Sequence, residues 1–500
     1  MDPDITQKTL EALKSAQQNP QLAKTSTFAE STNAVQGLTY YDLEIGAKLL
    51  YPVLTPLRNE IPRVNGKGGI QANWRAITAI NTGGVRAGVS AGNRGGMIAT
   101  TVSNYIAAYA GLGLEAAVDF EADYAAMGFD DAKALAAKIL LESLMIQEEL
   151  TIFGGDNSLA LGTTATPTVA AVAGSGSNIT ATTMYVVCVY LTMSGIQASS
   201  VTGGIPGQVS RTNTDSSTDT FGGGSAQPST AGTATGSAGG TVTATVATKA
   251  GAFAYAWFWN QTSAASATLG AITYTNSVTI TTSAGSGTQT VSAIPGGSST
   301  DFSTCALDFD GLLTQASKGN GSYTAWQATG TPGTGTPLTA DGEGGIVEID
   351  AALKSFWDNY RLSPDIILVN SQEQTNIGKK ILSGGTSAAQ RFVFTAEQGM
   401  IAGGVMARSY LNKYTMNGAV EIPIKLHPNC PPGTIVFLSR KLPYPLSNVS
   451  NVMRIVTRKE YYQIEWPLRT RRYEYGVYCD EVLQHYFPPS MGYISNVANG

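Results

Sequence analysis

At 500 residues, 43% apolar and 13% charged, the chain holds ample material for a large core and little charge beside the roughly 25% of an average soluble domain, which excludes wholesale disorder. A net charge of −5 excludes a generally basic nucleic-acid coat and leaves room only for a locally basic face. Its four cysteines (Cys188, Cys305, Cys430 and Cys479) are far apart, which excludes a Cys-x-x-Cys pair and a disulfide scaffold.

Length predicts about three domains. The opening residues lack the basic and apolar blocks of a signal peptide, and the longest apolar-looking run, residues 184–196, is too short to cross a bilayer. A cytosolic, soluble protein is expected. Residues 5–16 show a short amphipathic pattern, and the stretch to about residue 60 reads as an extended, poorly folded arm. Residues 64–101 are glycine-rich and basic, with Lys67, Arg75, Arg86 and Arg94 and no acidic residue. They predict an exposed two-stranded arm, which is marginal alone and needs something packed on it.

Asp130 or Asp131 then caps a predicted helix running to about Phe153, where Gly154 and Gly155 stop it. Ala134, Leu135, Ile139, Leu141, Leu144, Met145 and Leu150 form its expected apolar stripe. Glu148 and Glu149 read as part of a solvated helix face.

Residues 157–300 differ in kind, with only Arg211, Asp215, Asp219 and Lys249 charged. Strand-like runs at 183–192, 241–249, 253–259 and 272–282, separated by Gly/Ser turns, predict an all-β sandwich. In Phe253-Ala-Tyr-Ala-Trp-Phe-Trp, aromatic and small residues alternate, as in a strand with one face in a core. Residues 203–240 are almost all small and polar and predict a long mobile loop. Beyond the sandwich, helices are expected at 348–360 and 372–382, with Pro364-Asp-Ile-Ile-Leu-Val-Asn as a buried strand between them. Residues 460–480 alternate as a long strand or hairpin with one wet face, carrying Arg469, Arg471 and Arg472.

Motifs for catalysis do not hold together. The two histidines, His427 and His485, stand alone, so no zinc site is expected. Gly66-Lys-Gly-Gly lacks the order of a phosphate loop. Gly88-Val-Ser-Ala-Gly matches a nucleophile elbow, but the Asn-Arg-Gly-Gly that follows cannot start the required helix. No catalytic residue, cofactor or metal is expected. An arm, a protruding hairpin, a long helix, an α/β part and a long terminal sheet together suit a subunit whose projections are covered by its neighbours.

The order of these elements resembles the major capsid proteins of tailed bacteriophages, with the Hong Kong 97-type fold. The marks are the long helix ending in Thr151-Ile-Phe-Gly-Gly-Asp, then Phe309-Asp-Gly-Leu-Leu-Thr-Gln-Ala, the helix, Pro-Asp strand and helix over 346–377, and a closing strand over 472–486 before Pro488-Pro489. The resemblance implies an α+β chain divided into an N-terminal arm (1–62), an E-loop (63–112), a P-domain part with the spine helix (113–164), an A-domain (304–455) and a C-terminal P-domain part (456–500). The charge-poor segment, 165–303, departs from the family core and is expected to be an inserted, outward-facing Ig-like sandwich. The implied function is self-assembly, as hexamers and pentamers, into an icosahedral virion shell around double-stranded DNA. Scaffolding, portal and decoration proteins are further partners, no membrane is involved, and assembly occurs in the host cytoplasm. Lys67, Arg75, Arg86, Arg94, Arg469 and Arg471 are then candidate intersubunit contacts. The alternative from the same fold is an encapsulin-like shell packaging enzyme cargo.

Overall fold

A computed structural model describes residues 51–126, 131–213, 215–383, 407–416, 418–468 and 470–500. The amphipathic pattern at 5–16 lies outside them. In chain order, the first elements are helix α1 (Pro56–Glu60), strands β1 (Arg63–Asn65), β2 (Gln71–Ile80), β3 (Thr100–Ala108) and β4 (Ala110–Asp119), helix α2 (Phe120–Ala126) and the long helix α3 (Ala132–Gly154). The charge-poor region contributes β5 (Thr168–Val172), β6 (Thr183–Leu191), α4 (Met193–Ala198), β7 (Val209–Thr212), β8 (Thr218–Phe221), β9 (Gly232–Thr235), β10 (Thr241–Thr245), β11 (Ala254–Asn260), β12 (Thr268–Thr273) and β13 (Ser277–Ile280). Then come α5 (Leu312–Ser317), β14 (Tyr323–Trp326), α6 (Val347–Tyr360), β15 (Ile366–Val369), α7 (Ser371–Ser383), β16 (Ser409–Asn412), β17 (Val420–Leu426), β18 (Ile435–Leu438), β19 (Met453–Glu465), β20 (Arg472–His485) and β21 (Met491–Ser495). The chain is α+β, as expected.

Helix α3 starts because the Asp131 carboxylate accepts the Ala134 N–H at 3.0 Å, satisfying one of the orphan donors of a first turn. It stops at a glycine pair that permits close packing. A Cβ on Gly154 would collide with Met193, and one on Gly155 would meet the Phe309 carbonyl. The Gly155 carbonyl is in turn taken by the Gly311 N–H and the Thr314 hydroxyl, both at 2.8 Å. The buried row of the helix is Leu140 and Leu144, continuing into Glu148 and Ile152, whereas Ile139 is exposed. This four-residue row is rotated from the expected stripe. It packs on a sheet of order β1-β19-β20-β4, against Val118, Tyr475, Val477 and Cys479. The long hairpin β19–β20 is the backbone of that sheet, and β1 adds to its edge in parallel, Arg63 opposite Ile455.

A second sheet, of order β14-β21-β18-β15-β17-β16, is mixed. The Pro-Asp strand β15 is buried along its whole length near its centre, and Ile349, Leu353 and Phe356 of α6 join its core.

The charge-poor region folds as two antiparallel sheets, β13-β10-β5 and β12-β11-β6-β9. Val186, Cys188, Tyr190, Tyr255, Trp257 and Trp259 fill the core between them. The alternate residues, Val187, Val189, Leu191, Ala254, Ala256 and Phe258, point the other way and join the core of the rest of the chain, with Phe153, Phe309 and Tyr493. Thus β11 is buried on both faces, not on one as its alternation predicts. Its alanines do not face water: they let a second layer approach closely.

Two further expectations are corrected here. Residues 203–240 are not one loop, because β7, β8 and β9 lie within them. Gly222, Gly223 and Gly224 each sit against other backbone, so the glycines serve close packing there rather than freedom. The run 272–282 is not one strand. It leaves the four-stranded sheet at β12 and enters the three-stranded sheet at β13. At the crossing, the Asn276 N–H donates to Asn496 Oδ1 at 2.7 Å, and Asn496 Nδ2 donates to Asn276 Oδ1 at 3.2 Å. This amide pair ties the sandwich to the end of the second sheet.

Candidate functional site

The hairpin β2–β3 forms its own two-stranded sheet and leaves the body as a ribbon. Its root is anchored by Trp74, which stacks on Tyr105 at 5.8 Å and meets Tyr486 edge-on at 6.2 Å. Along the ribbon, apolar side chains face solvent: Ile77 is 67% exposed, Ile106 68% and Met97 93%. Lys67, Arg75, Arg86 and Arg94 are all exposed on the same arm, and among the described residues their side chains make no ion pair or hydrogen bond. Ser90 lies in a turn at its tip, with no helix after it. Arg471 is exposed where the chain turns from β19 to β20, and Arg469 lies outside the described residues. Arg472 pairs within the chain, its Nε 2.5 Å from Asp119 Oδ1. The structure therefore gathers Arg75, Arg86 and Arg94 on one ribbon, sets Lys67 just ahead of it between β1 and β2, and places Arg471 elsewhere.

Sequence reasoning missed the anchor beneath this ribbon. Glu148 and Glu149 are not solvated: their side chains are 0% and 1% exposed. Arg58 Nε lies 2.8 Å from Glu148 Oε2, and Arg63 pairs with Glu148 and, at 2.9 Å, with Glu481 of β20. The Tyr461 hydroxyl donates to Glu148 and accepts from Arg58 Nη2 at 3.0 Å. Glu149 accepts the Leu57 N–H at 3.0 Å and the Arg58 N–H at 2.7 Å, so it caps α1 from outside. His427 also reaches Glu149, with Nε2 to Oε1 at 2.8 Å. Because His427 Nδ1 accepts the Asn429 N–H, its Nε2 carries the proton and donates. The ring stacks on Phe153 with centroids 4.4 Å apart.

Burial sets the protonation of this cluster. It pushes His427 below the usual imidazole range, with Glu149 pulling back, and raises Glu481 against the pull of Arg63. Three carboxylates and two guanidiniums with a neutral imidazole make a buried, hydrogen-bonded network, which is strongly destabilised when one partner is removed. The signal in the sequence was the row Leu140, Leu144, Glu148: a carboxylate in register with two core leucines on a four-residue spacing.

No protein-family model and no curated protein sequence matches the chain. Among solved structures, it is similar to the capsid of a native GTA particle, at 8% identity and TM-score 0.41, covering 95% of this chain and 100% of that one. It is similar to the capsid of the Myoviridae phage XM1, at 10% identity and TM-score 0.38, covering 91% and 95%. The holo-SrpI encapsulin complex of Synechococcus elongatus overlaps it at 8% identity and TM-score 0.38, covering 91% and 92%.

Proposed function

We propose that this chain is a major head protein that self-assembles, as hexamers and pentamers, into an icosahedral shell of the tailed-phage type around double-stranded DNA. The observation that carries the reading is the hairpin. A lone ribbon of two strands buries too little to be stable by itself, and this one displays large apolar side chains and three cations which, like Lys67 just ahead of it, have no partner among the described residues. A neighbouring copy supplies what it lacks. Glu121 and Asp123, in the first turn of α2, have no ion-pair partner among the described residues and are suited to receive such cations. Lys67, Arg75, Arg86, Arg94, Arg469 and Arg471 are the intersubunit contacts of this reading. Each exposed pair contributes about 0–1 kcal/mol, repeated over every copy in the shell.

The domain plan belongs to the same proposal: arm 1–62, overlapping loop 63–112, spine part 113–164, sandwich 165–303, axial part 304–455 and closing part 456–500. The protein is placed in the virion after assembly in the host cytoplasm, with scaffolding, portal and decoration proteins as further partners. No catalytic group takes part.

Negative-stain electron microscopy of the purified chain, alone and coexpressed with its neighbouring genes, tests the reading. Closed angular shells, tubes or ring-shaped capsomers are expected. A monodisperse monomer under both conditions overturns it. Nuclease-protected DNA in the particles separates a phage head from an enzyme-filled compartment.

A further inference from the structure

We propose that Asn320 is a site of spontaneous covalent modification, deamidation through a cyclic imide, and that the fold opens this Asn-Gly pair to the reaction while holding Asn65-Gly66 closed. The reaction needs a free carboxamide and a free backbone nitrogen on the next residue, and glycine favours it because no side chain shields that nitrogen. The sequence holds four Asn-Gly pairs, beginning at residues 65, 320, 417 and 499, of which Asn417 lies outside the described residues. The first is held in β1. The Gly66 N–H donates to the Thr457 carbonyl at 2.7 Å, and Asn65 Oδ1 accepts the Thr457 hydroxyl at 3.3 Å. In the last, the Gly500 N–H is directed at Asn376 Oδ1, 3.5 Å away. Asn320 differs from both. It is exposed in the turn between α5 and β14, and among the described residues neither its carboxamide nor the Gly321 N–H has a hydrogen-bond partner. The turn is held on either side, by the Lys318 N–H on the Thr314 carbonyl at 3.2 Å and the Ser322 hydroxyl on the Ala316 carbonyl at 2.5 Å. Between these ties Gly319 and Gly321 have φ of +72° and +85°, in the left-handed region that suits glycine, and a Cβ on Gly319 would meet nothing within 4 Å.

The step balances with water alone. The Gly321 nitrogen gives its proton to solvent base and attacks Asn320 Cγ. The new N–C bond closes a ring as the Cγ–Nδ2 bond breaks, and ammonia leaves with a proton taken from solvent. Water then opens the ring at either carbonyl. One opening leaves aspartate, and the other leaves isoaspartate, with the main chain rerouted through Cγ. The net change is one water gained and one ammonia lost. The isoaspartyl form lengthens the backbone by a methylene at a tight place, since a Cβ on Gly321 would lie 2.7 Å from the Tyr360 hydroxyl and 2.9 Å from Pro489 Cγ. Strand β14 starts two residues later, with Tyr323 opposite Gly492 at the edge of the second sheet. The modification therefore loosens that edge. None of this depends on assembly, so it stands apart from the shell reading.

Peptide mass spectrometry of the folded full chain, aged in mildly alkaline buffer made with heavy-oxygen water, tests this. The label enters each product with the water that opens the ring. Asn320 is expected to convert about tenfold faster than Asn65, because β1 must first open locally to free the Gly66 nitrogen. In denaturant the two rates are expected to converge, since neither pair is then held. Asn320→Gln, which cannot close the same ring, should lose the product at 320 and keep the one at 65. Deamidated chains carry an added negative charge and separate from the parent by ion exchange, and their β14 amides should exchange with deuterium faster than those of the parent. Equal rates at 320 and 65 in the folded chain overturn the assignment. So does a lack of conversion at 320 over the time in which the denatured chain converts. Unchanged exchange at β14 overturns the coupling to the sheet edge.

Discussion

The sandwich and the hairpin are both β-structures attached to the same body, and they treat apolar surface in opposite ways. The sandwich has almost no charge and buries β11 on both faces, one against its partner sheet and one against the body. The hairpin has three cations, with Lys67 just ahead of it, and leaves Ile77, Met97 and Ile106 in water. Low charge here marks a segment integrated into its own chain, whereas apolar residues mixed with charge that has no partner among the described residues mark, on the proposed reading, a surface for another copy. Composition alone placed the sandwich apart from the rest. Its packing makes it a wall of the common core.

That contrast can be broken most directly by truncation. Trp257→Ala and Phe258→Ala empty opposite faces of β11, and each is expected to destabilise by about 3–5 kcal/mol in denaturant unfolding. If Phe258→Ala is near neutral, the second face is not part of the core. Glu149→Ala is expected to fall in the same range of about 3–5 kcal/mol, since it strands His427 and two N–H groups of α1.

Acid probes the body and the root of the sandwich separately. His485 of β20 is buried, and burial lowers it to about 3 from 6.5. Only the unfolded chain takes up that proton as pH drops below 6.5, so this contribution is complete above 6.5 and is lost on acidification, by about 2 kcal/mol at pH 5. Asp156, at the sandwich root, is raised by burial to about 7. Its contribution has the opposite sign: it is present below the unfolded value near 3.8 and is lost as pH rises toward 7. His485→Gln should therefore flatten acid loss in a stability–pH series, and Asp156→Asn should steepen it.

The smallest effects belong to the hairpin. Ile106→Ala and Arg75→Ala should each change subunit stability by no more than about 0.5 kcal/mol, while lowering the yield of assembled particles by light scattering. The arginine variant should also weaken the salt dependence of assembly. A large loss of subunit stability from either would place the ribbon in the core and erase the contrast.

These particulars also show what was legible beforehand. The cap and stop of α3, the Pro-Asp strand and the long terminal hairpin were readable, because capping residues, short apolar runs and period-two alternation are local. Strands β7 to β9 were not, since Gly, Ser and Thr carry no hydropathy pattern and their pairing is settled by backbone contact. The ion cluster was hidden for another reason. Glu148 and Glu149 look like any helix-surface carboxylates, and their partners lie far off in sequence, 90 residues back at Arg58 and 278 ahead at His427.

One pairing has a consequence for the order of synthesis. Strand β1 is completed only by β19, with Asn65 opposite Thr457, and the carboxylate of Glu481 that receives Arg63 comes later still. A growing chain on the ribosome makes the hairpin early, yet cannot seat its root until β20 has emerged. Contacts so distant in sequence form late in folding. On the proposed shell reading, half-made subunits thus carry a ribbon whose root strand is not yet paired and are poor recruits for a growing shell, so the topology itself delays association until the chain is nearly complete.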